Sequence, residues 1–314
     1  MEESSPRRSG ITIMDGGMGH LLKERGARTP GLNFDDQFLA GVLANAEQPD
    51  VVSGIHREYI RAGADVITTN NFVATKHSLG KLGLDGRVVE LTEAAARCAR
   101  RAQIEQGGSV RIAGCLPPLR DSYRVADLAC DEMRKQYDGI ARVLAPSVDF
   151  LLCETMSAVK EAKAAFEVAS QTGLPVWVSF SLEDSSKAVL RSGESLRDAI
   201  DQIQTIGVPE TLLVNCCACQ AISAAMPILR EFKKQSGLNI GCYGNGFQET
   251  TTQWMTGTAT PSFEVNPEDY DSGGIITAEA YCRYARQWAE MEATVIGGCC
   301  GIGPEHIRAL KNTM

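Results

Sequence analysis

Ala293-Thr-Val-Ile-Gly-Gly-Cys-Cys-Gly-Ile-Gly-Pro-Glu-His306 is the stretch from which the fold can be read. A short apolar run, Thr294 to Ile296, enters two glycines and two adjacent cysteines, then Gly301 and Gly303. Pro304 and Glu305 follow, as suits the first turn of a helix. The stretch reads as a strand, a tight turn and a helix, with Cys299 and Cys300 where the strand ends. Neighbouring cysteines rarely bond to each other, because the small ring distorts the peptide between them. Two thiolates fixed by a stiff turn suit a soft metal such as zinc. Zinc needs further ligands, and Cys216, at the end of another strand, offers one.

Working outward, the same unit recurs. Strand-like runs at Ile11–Gly17, Asp65–Asn70, Arg111–Leu116, Asp149–Glu154, Pro175–Phe180, Thr211–Cys216, Asn239–Gly244 and Ala293–Cys299 alternate with helical patterns. The helices are expected at Leu21–Arg25 and Asp50–Arg61, then Arg87–Gln106, Asp131–Leu144, Ser157–Ser170, Ser195–Ile206, Gln220–Lys234, Thr277–Met291 and Pro304–Lys311. Val159, Ala162, Phe166 and Ala169 share one helical face, and Ser195 with Asp198 forms a start signal. Strands apolar on both faces belong in a parallel sheet covered by helices. Eight such units within 314 residues predict a single α/β domain, a closed (β/α)8 TIM barrel spanning 11–314, after a polar tail at 1–10. The loop from Asn245 to Ile276, roughly 30 residues long, is expected to be functional.

The totals narrow the function. A net charge of -8 argues against nucleic acid and against anionic membrane surfaces. No apolar run reaches the roughly 20 residues of a membrane span, and residues 1–10 lack a signal-peptide core, so a cytoplasmic protein is expected. The 11 cysteines are an odd count without regular spacing, which does not suggest a disulfide framework. Cys98, Cys115, Cys153, Cys242 and Cys282 read as packed core residues.

In such a barrel, catalysis happens where the strands finish. Those ends are polar: Asp15-Gly16-Gly17, Thr68 to Asn71, Cys115, Glu154-Thr155, Ser179, Asn215-Cys216, Tyr243-Gly-Asn245 and Gly297 to Cys300. Cys216, Cys299 and Cys300 come from strands six and eight, close enough to share an ion. Three thiolates and an open fourth position describe a catalytic zinc centre, since a structural one is closed by four ligands. Strand alternation lets only one of Cys216 and Cys217 face the barrel mouth, and Cys216 ends the strand. Whether Cys217 or Cys219 also contributes is open.

Asp15-Gly-Gly-Met-Gly19, Glu154-Thr155, Val214-Asn-Cys216 and Gly297-Gly-Cys-Cys-Gly301 resemble the homocysteine-binding family. That family includes homocysteine S-methyltransferases, betaine–homocysteine methyltransferase and the homocysteine module of methionine synthase. The resemblance runs from about Thr12 to Leu310 and implies a zinc-dependent methyltransferase. The thiol of L-homocysteine would become the fourth zinc ligand, lose its proton, and take a methyl group from a sulfonium donor. It further implies that Glu154 holds the substrate ammonium, that the backbone at Asp15, Gly16 and Gly17 receives its carboxylate, and that Asn245 lies near the metal.

The donor is less constrained. Relatives that use S-methylmethionine carry a Gly-Pro-Tyr-Gly type segment after the third strand; here the segment is Gly114-Cys-Leu-Pro-Pro-Leu-Arg-Asp-Ser-Tyr123. A stand-alone barrel suggests a small donor, S-methylmethionine first and S-adenosylmethionine second, with two molecules of methionine as products in the first case. Selenohomocysteine or selenocysteine as acceptor is an alternative. The rival from another class is a zinc or thiol redox sensor without turnover. A monomer is expected. His20, His56, His77 and His306 read as structural, and Arg97, Arg100 and Arg101 as a solvated helix face. Gly16 to Gly19 lacks the dinucleotide spacing. Trp177 reads as core, and Trp254 as a cover for the donor.

Overall fold

A computed structural model describes residues 10–26, 37–257 and 263–314. Eight strands follow one another around a single sheet: β1 (Thr12–Ile13), β2 (Val66–Thr68), β3 (Arg111–Leu116), β4 (Phe150–Met156), β5 (Val176–Phe180), β6 (Thr211–Ala218), β7 (Asn239–Asn245) and β8 (Val295–Gly298). Each neighbour pairs in parallel, and β1 pairs with β8. A parallel bridge between Met14 and Val66 closes the ring, supported by Asp15 N donating to Val66 O at 2.9 Å. The expected barrel is therefore present.

Alternation along the strands makes two cores. Met14, Val66, Ala113, Phe150, Leu152, Trp177, Leu213, Tyr243 and Val295 fill the inside of the barrel. The alternate residues, among them Leu151, Val178, Leu212, Val214 and Ile240, pack outward beneath the helices. At the closed end Arg111 lies over the Phe150 ring, 4.5 Å from its centroid, and Phe150 packs on Trp177 at 4.2 Å. Trp177 is core, as expected. This end is plugged by cation and rings, which leaves the opposite end for chemistry.

The helices differ from expectation at few places. The sequence reading omits Gln37–Glu47 and the short Lys76–Gly80. Gln37–Glu47 buries Leu39, Ala40, Val42, Leu43 and Ala44, so it is apolar nearly all round and lacks a stripe. The long loop holds a helix at Thr251–Thr256 and a 3-10 turn at Pro267–Asp269. The tail at 1–10 (apart from Gly10), the loop through Thr29 and Pro30, and the side chain of Trp254 lie outside the described residues. Among the described residues no helix is long and apolar enough to cross a membrane.

Candidate active site

Strands β4 and β6 run further than the sequence suggests, to Met156 and Ala218, because each contains an irregularity. The β4–β5 register shifts between Cys153 and Met156, and the β6–β7 register between Asn215 and Ala218. At each bulge a non-glycine residue takes a left-handed backbone, Thr155 with φ 59° and Cys216 with φ 55°. Such conformations cost on the order of 1–3 kcal/mol each and persist where the surroundings enforce them. Here they invert the side-chain alternation. Leu213 points inward and Val214 outward, so a regular strand would turn Cys216 outward and Cys217 inward. The bulge brings Cys216 into the mouth and sends Cys217 into the outer core.

Cys216 then meets the turn after β8. Its sulfur lies 3.1 Å from that of Cys299 and 4.0 Å from that of Cys300, and Cys299 and Cys300 are 4.0 Å apart. These three sulfurs form a possible metal-binding group within 4.8 Å of one another. Cys219 donates toward Asn245 O at 3.6 Å and, like Cys217, packs in the outer core, so neither joins the cluster.

The glycines of the Asp15 turn have a steric cause. A Cβ on Gly17 would stand 2.7 Å from Cys299 O, and one on Gly16 would stand 2.2 Å from Ile302 O. The Tyr59 hydroxyl is shared between the carbonyls of Gly17 (2.9 Å) and Ile302 (3.0 Å), clamping the first turn to the cysteine turn. Asp15 N and Gly17 N donate to Val66 O and Ile302 O. The Gly16 amide is the one in this turn left without a protein partner among the described residues.

Two buried carboxyls face the mouth. Glu154 accepts from the Cys115 thiol at 3.0 Å and from the Tyr243 hydroxyl at 3.2 Å. Cys115 is therefore buried, as expected, and also bonds to a carboxyl at the strand ends among which it was counted. Asp15 accepts from Thr68 N at 2.8 Å and from the Thr68 hydroxyl at 3.2 Å. Burial pushes Asp15 up to about 8, despite the Thr68 bonds, and the nearby Glu154 charge adds to this. Burial pushes Glu154 up to about 7, against the Cys115 and Tyr243 bonds. A low-dielectric pocket with carboxyls held near neutrality favours a cationic visitor.

The cysteines divide their protons unevenly. Hydrogen bonds from Cys216 and Cys299 hold the Cys300 thiol well below its ordinary value, while donating to its neighbours pushes Cys299 up. Cys216 is pushed up as well, so the negative charge of the cluster falls on Cys300. Its donor set fits zinc: bonds of roughly 2.3 Å in a tetrahedron separate sulfurs by about 3.8 Å. Two of the three separations, at 4.0 Å, lie near that value, and the third, at 3.1 Å, is shorter. Asn245 donates to Thr251 Oγ1 at 3.2 Å, while its buried Oδ1 has no partner among the described residues.

Sequence reasoning also missed Tyr123, whose hydroxyl lies 3.0 Å from Cys216 Sγ, and Arg191 with Asp184 behind it. Tyr123 sits in the segment after β3, where the family motif gives no guide. The histidines have structural surroundings: His306 Nε2 lies 2.7 Å from Ile276 O, and His20 packs on Phe247.

A closed parallel barrel with a three-cysteine cluster and buried carboxyls at its open end defines a thiolate-centred enzyme class. Residues 12–314 match the homocysteine S-methyltransferase family, and the chain belongs to it. Among relatives, the homocysteine S-methyltransferase of Escherichia coli (strain K12) is 29% identical, with 99% of each chain covered. The S-methylmethionine–homocysteine S-methyltransferase BHMT2 of Mus musculus is 28% identical over 97% of this chain and 78% of its own. In structure, the metallated form of the homocysteine methyltransferase MmuM from Escherichia coli superposes with TM-score 0.75 at 24% identity, covering 98% of this chain and 97% of that one. That likeness concerns the fold.

Proposed function

We propose that the protein transfers a methyl group from S-methylmethionine to L-homocysteine, at a zinc ion held by Cys216, Cys299 and Cys300. The observation that carries this reading is the convergence of three sulfurs, within 4.8 Å, beside the buried carboxyl of Glu154. The choice of donor is supported by the mouse relative, whose name specifies S-methylmethionine.

Zinc bound there would act as a Lewis acid that keeps the homocysteine sulfur deprotonated at neutral pH. Glu154, oriented by Cys115 and Tyr243, takes the substrate ammonium, and that charge draws the carboxyl into its ionised form. The Gly16 amide receives the substrate carboxylate, while Asp15, committed to Thr68, braces the turn. Held at its amino-acid end, the substrate presents its sulfur at the barrel mouth. There the sulfonium methyl arrives in line, its bond to the donor sulfur breaking as the new carbon–sulfur bond forms. Asn245 Oδ1, buried and without a partner among the described residues, would take the fourth position at the metal before substrate arrives.

The test is methionine formation by reduced, zinc-loaded protein from homocysteine, with S-methylmethionine and S-adenosylmethionine in parallel. Faster turnover with S-methylmethionine, lost on chelation and restored by zinc, supports the proposal. A higher kcat/KM with S-adenosylmethionine reassigns the donor. Zinc binding without turnover on either donor, or on a selenium acceptor, overturns the enzyme reading in favour of a thiol sensor.

A further inference from the structure

Behind Cys216 lies an ion pair with both side chains buried, Arg191 at 4% and Asp184 at 0% exposure, their closest atoms 3.3 Å apart. Among the described residues no other ion pair has both partners buried. A buried pair is weak evidence of a stability role, because desolvation offsets much of the attraction. Contacts from both partners reach the bulge. Asp184 Oδ1 accepts from Ala218 N at 2.7 Å, just beyond the point where the ladder breaks. On the other side, Arg191 Nη2 and the Ser181 hydroxyl both approach Cys216 O at 3.4 Å. The carboxylate therefore takes an amide of the bulge and the guanidinium its carbonyl. Arg191 also covers the Tyr123 ring, 5.0 Å from its centroid, and the Tyr123 hydroxyl meets Cys216 Sγ at 3.0 Å. Tyr123 itself has a left-handed backbone, φ 68°.

We propose that Arg191, paired with Asp184, is a positioning residue for the metal-binding cluster: it holds Cys216 in its inverted conformation and seats Tyr123 against its sulfur. The inference rests on the proposed reading of the three cysteines as metal ligands. Arginine suits the task, because one planar guanidinium can pair with a carboxylate, reach a carbonyl and stack on a ring at once. Without it, Cys216 is free to relax toward ordinary strand alternation, which carries its sulfur away from Cys299 and Cys300.

The experiment measures zinc affinity by chelator competition on reduced, metal-free full-length protein, with melting temperature recorded on the same samples. Arg191→Met is expected to raise the zinc Kd about 10- to 100-fold, the range usual for residues that orient metal ligands. Arg191→Lys, which keeps the charge but not the fork, should raise it less. Tyr123→Phe should raise it while leaving the melting temperature of the metal-free protein nearly unchanged. A purely structural role would lower the melting temperature of Arg191→Met and leave Kd unchanged, and that result overturns the inference. Should Arg191→Met fail to fold, Arg191→Lys and Tyr123→Phe decide it, and unchanged Kd in both overturns it. Wild-type protein that binds no zinc would overturn the metal reading itself, an outcome distinguishable from bound zinc with unchanged affinity in the variants.

Discussion

Asn215 Nδ2 donates to Thr155 Oγ1 at 2.9 Å, linking the bulge of β4 to the bulge of β6. Asn215 Oδ1 also accepts from Ser179 Oγ at 2.7 Å, so one buried amide joins β4, β5 and β6 where two of them leave regular geometry. Glu154 and Cys216 are the neighbours of these residues, which makes the amide a brace between a carboxyl and a sulfur. Asn215→Ala leaves two buried hydroxyls short of a partner and is expected to cost about 2–4 kcal/mol. Urea unfolding would check this. Zinc content should fall with it, since strained Cys216 loses its support.

The Glu154 carboxyl, pushed up to about 7 by burial, gives a pH signature. A group that must ionise to hold an ammonium binds poorly below its own value and well above it. Methionine, the thioether product, has no thiol to titrate, and comparison with Glu154→Gln separates this effect from the nearby Asp15 carboxyl, itself pushed up to about 8. The affinity for methionine should rise about tenfold between pH 6 and pH 8. In Glu154→Gln it should be weak and nearly flat over the same range. Calorimetry at matched ionic strength would measure both.

His56 is buried in helix Pro49–Ala62 with neither ring nitrogen partnered among the described residues. Burial holds it down to about 3, against an ordinary 6.5. Between these values the unfolded chain binds a proton that the folded chain refuses. The stability contributed by the neutral ring is therefore present above 6.5 and lost as pH falls toward 3, by up to roughly 5 kcal/mol. His56→Leu has similar volume and no polar atoms. It should match or exceed wild-type stability at pH 7 and lose much of the acid slope. Thermal melts from pH 4 to pH 7 would reveal it.

Gly17→Ala should act on the cysteine turn without touching a thiol. The new Cβ would stand 2.7 Å from Cys299 O, a backbone atom that moves only with the turn. A loss of about 1–3 kcal/mol is expected, together with weaker zinc retention on dialysis. Gly16→Ala, at 2.2 Å from Ile302 O, should be worse.

Zinc added to the metal-free protein should raise its melting temperature. At 100 times Kd, binding contributes about 2.7 kcal/mol, on the order of 5 °C for a domain of this size. Cys299→Ser should abolish the shift, as measured by differential scanning calorimetry.

Much of this architecture was legible because alternating strands and striped helices leave period-based signals. The cysteine cluster was legible too, since Cys299 and Cys300 follow a short apolar run and Cys216 ends another. The reason Cys216 rather than Cys217 joins them was not. Simple alternation from Leu213 favours Cys217, and only a left-handed residue inside β6 reverses the parity. A sequence has no clear mark for a non-glycine bulge. Arg191, Asp184 and Tyr123 were invisible for a related reason: their meaning lies in contacts across loops after different strands. The Cys115–Glu154 bond was half legible, since both residues stand at strand ends, but a buried cysteine reads first as packing.

The clamp between Tyr59 and Ile302 joins residues 243 positions apart, and Cys216 and Cys299 are separated by 83. The ring closes only when β1, one of the earliest segments of the chain, docks against β8, one of the last. Contacts this distant form late, because loop closure must be met before they contribute. A refolding chain therefore has no preformed grip on an ion, and tight metal capture becomes a reporter of completed topology. Stopped-flow mixing with a zinc indicator would read the moment the barrel shuts.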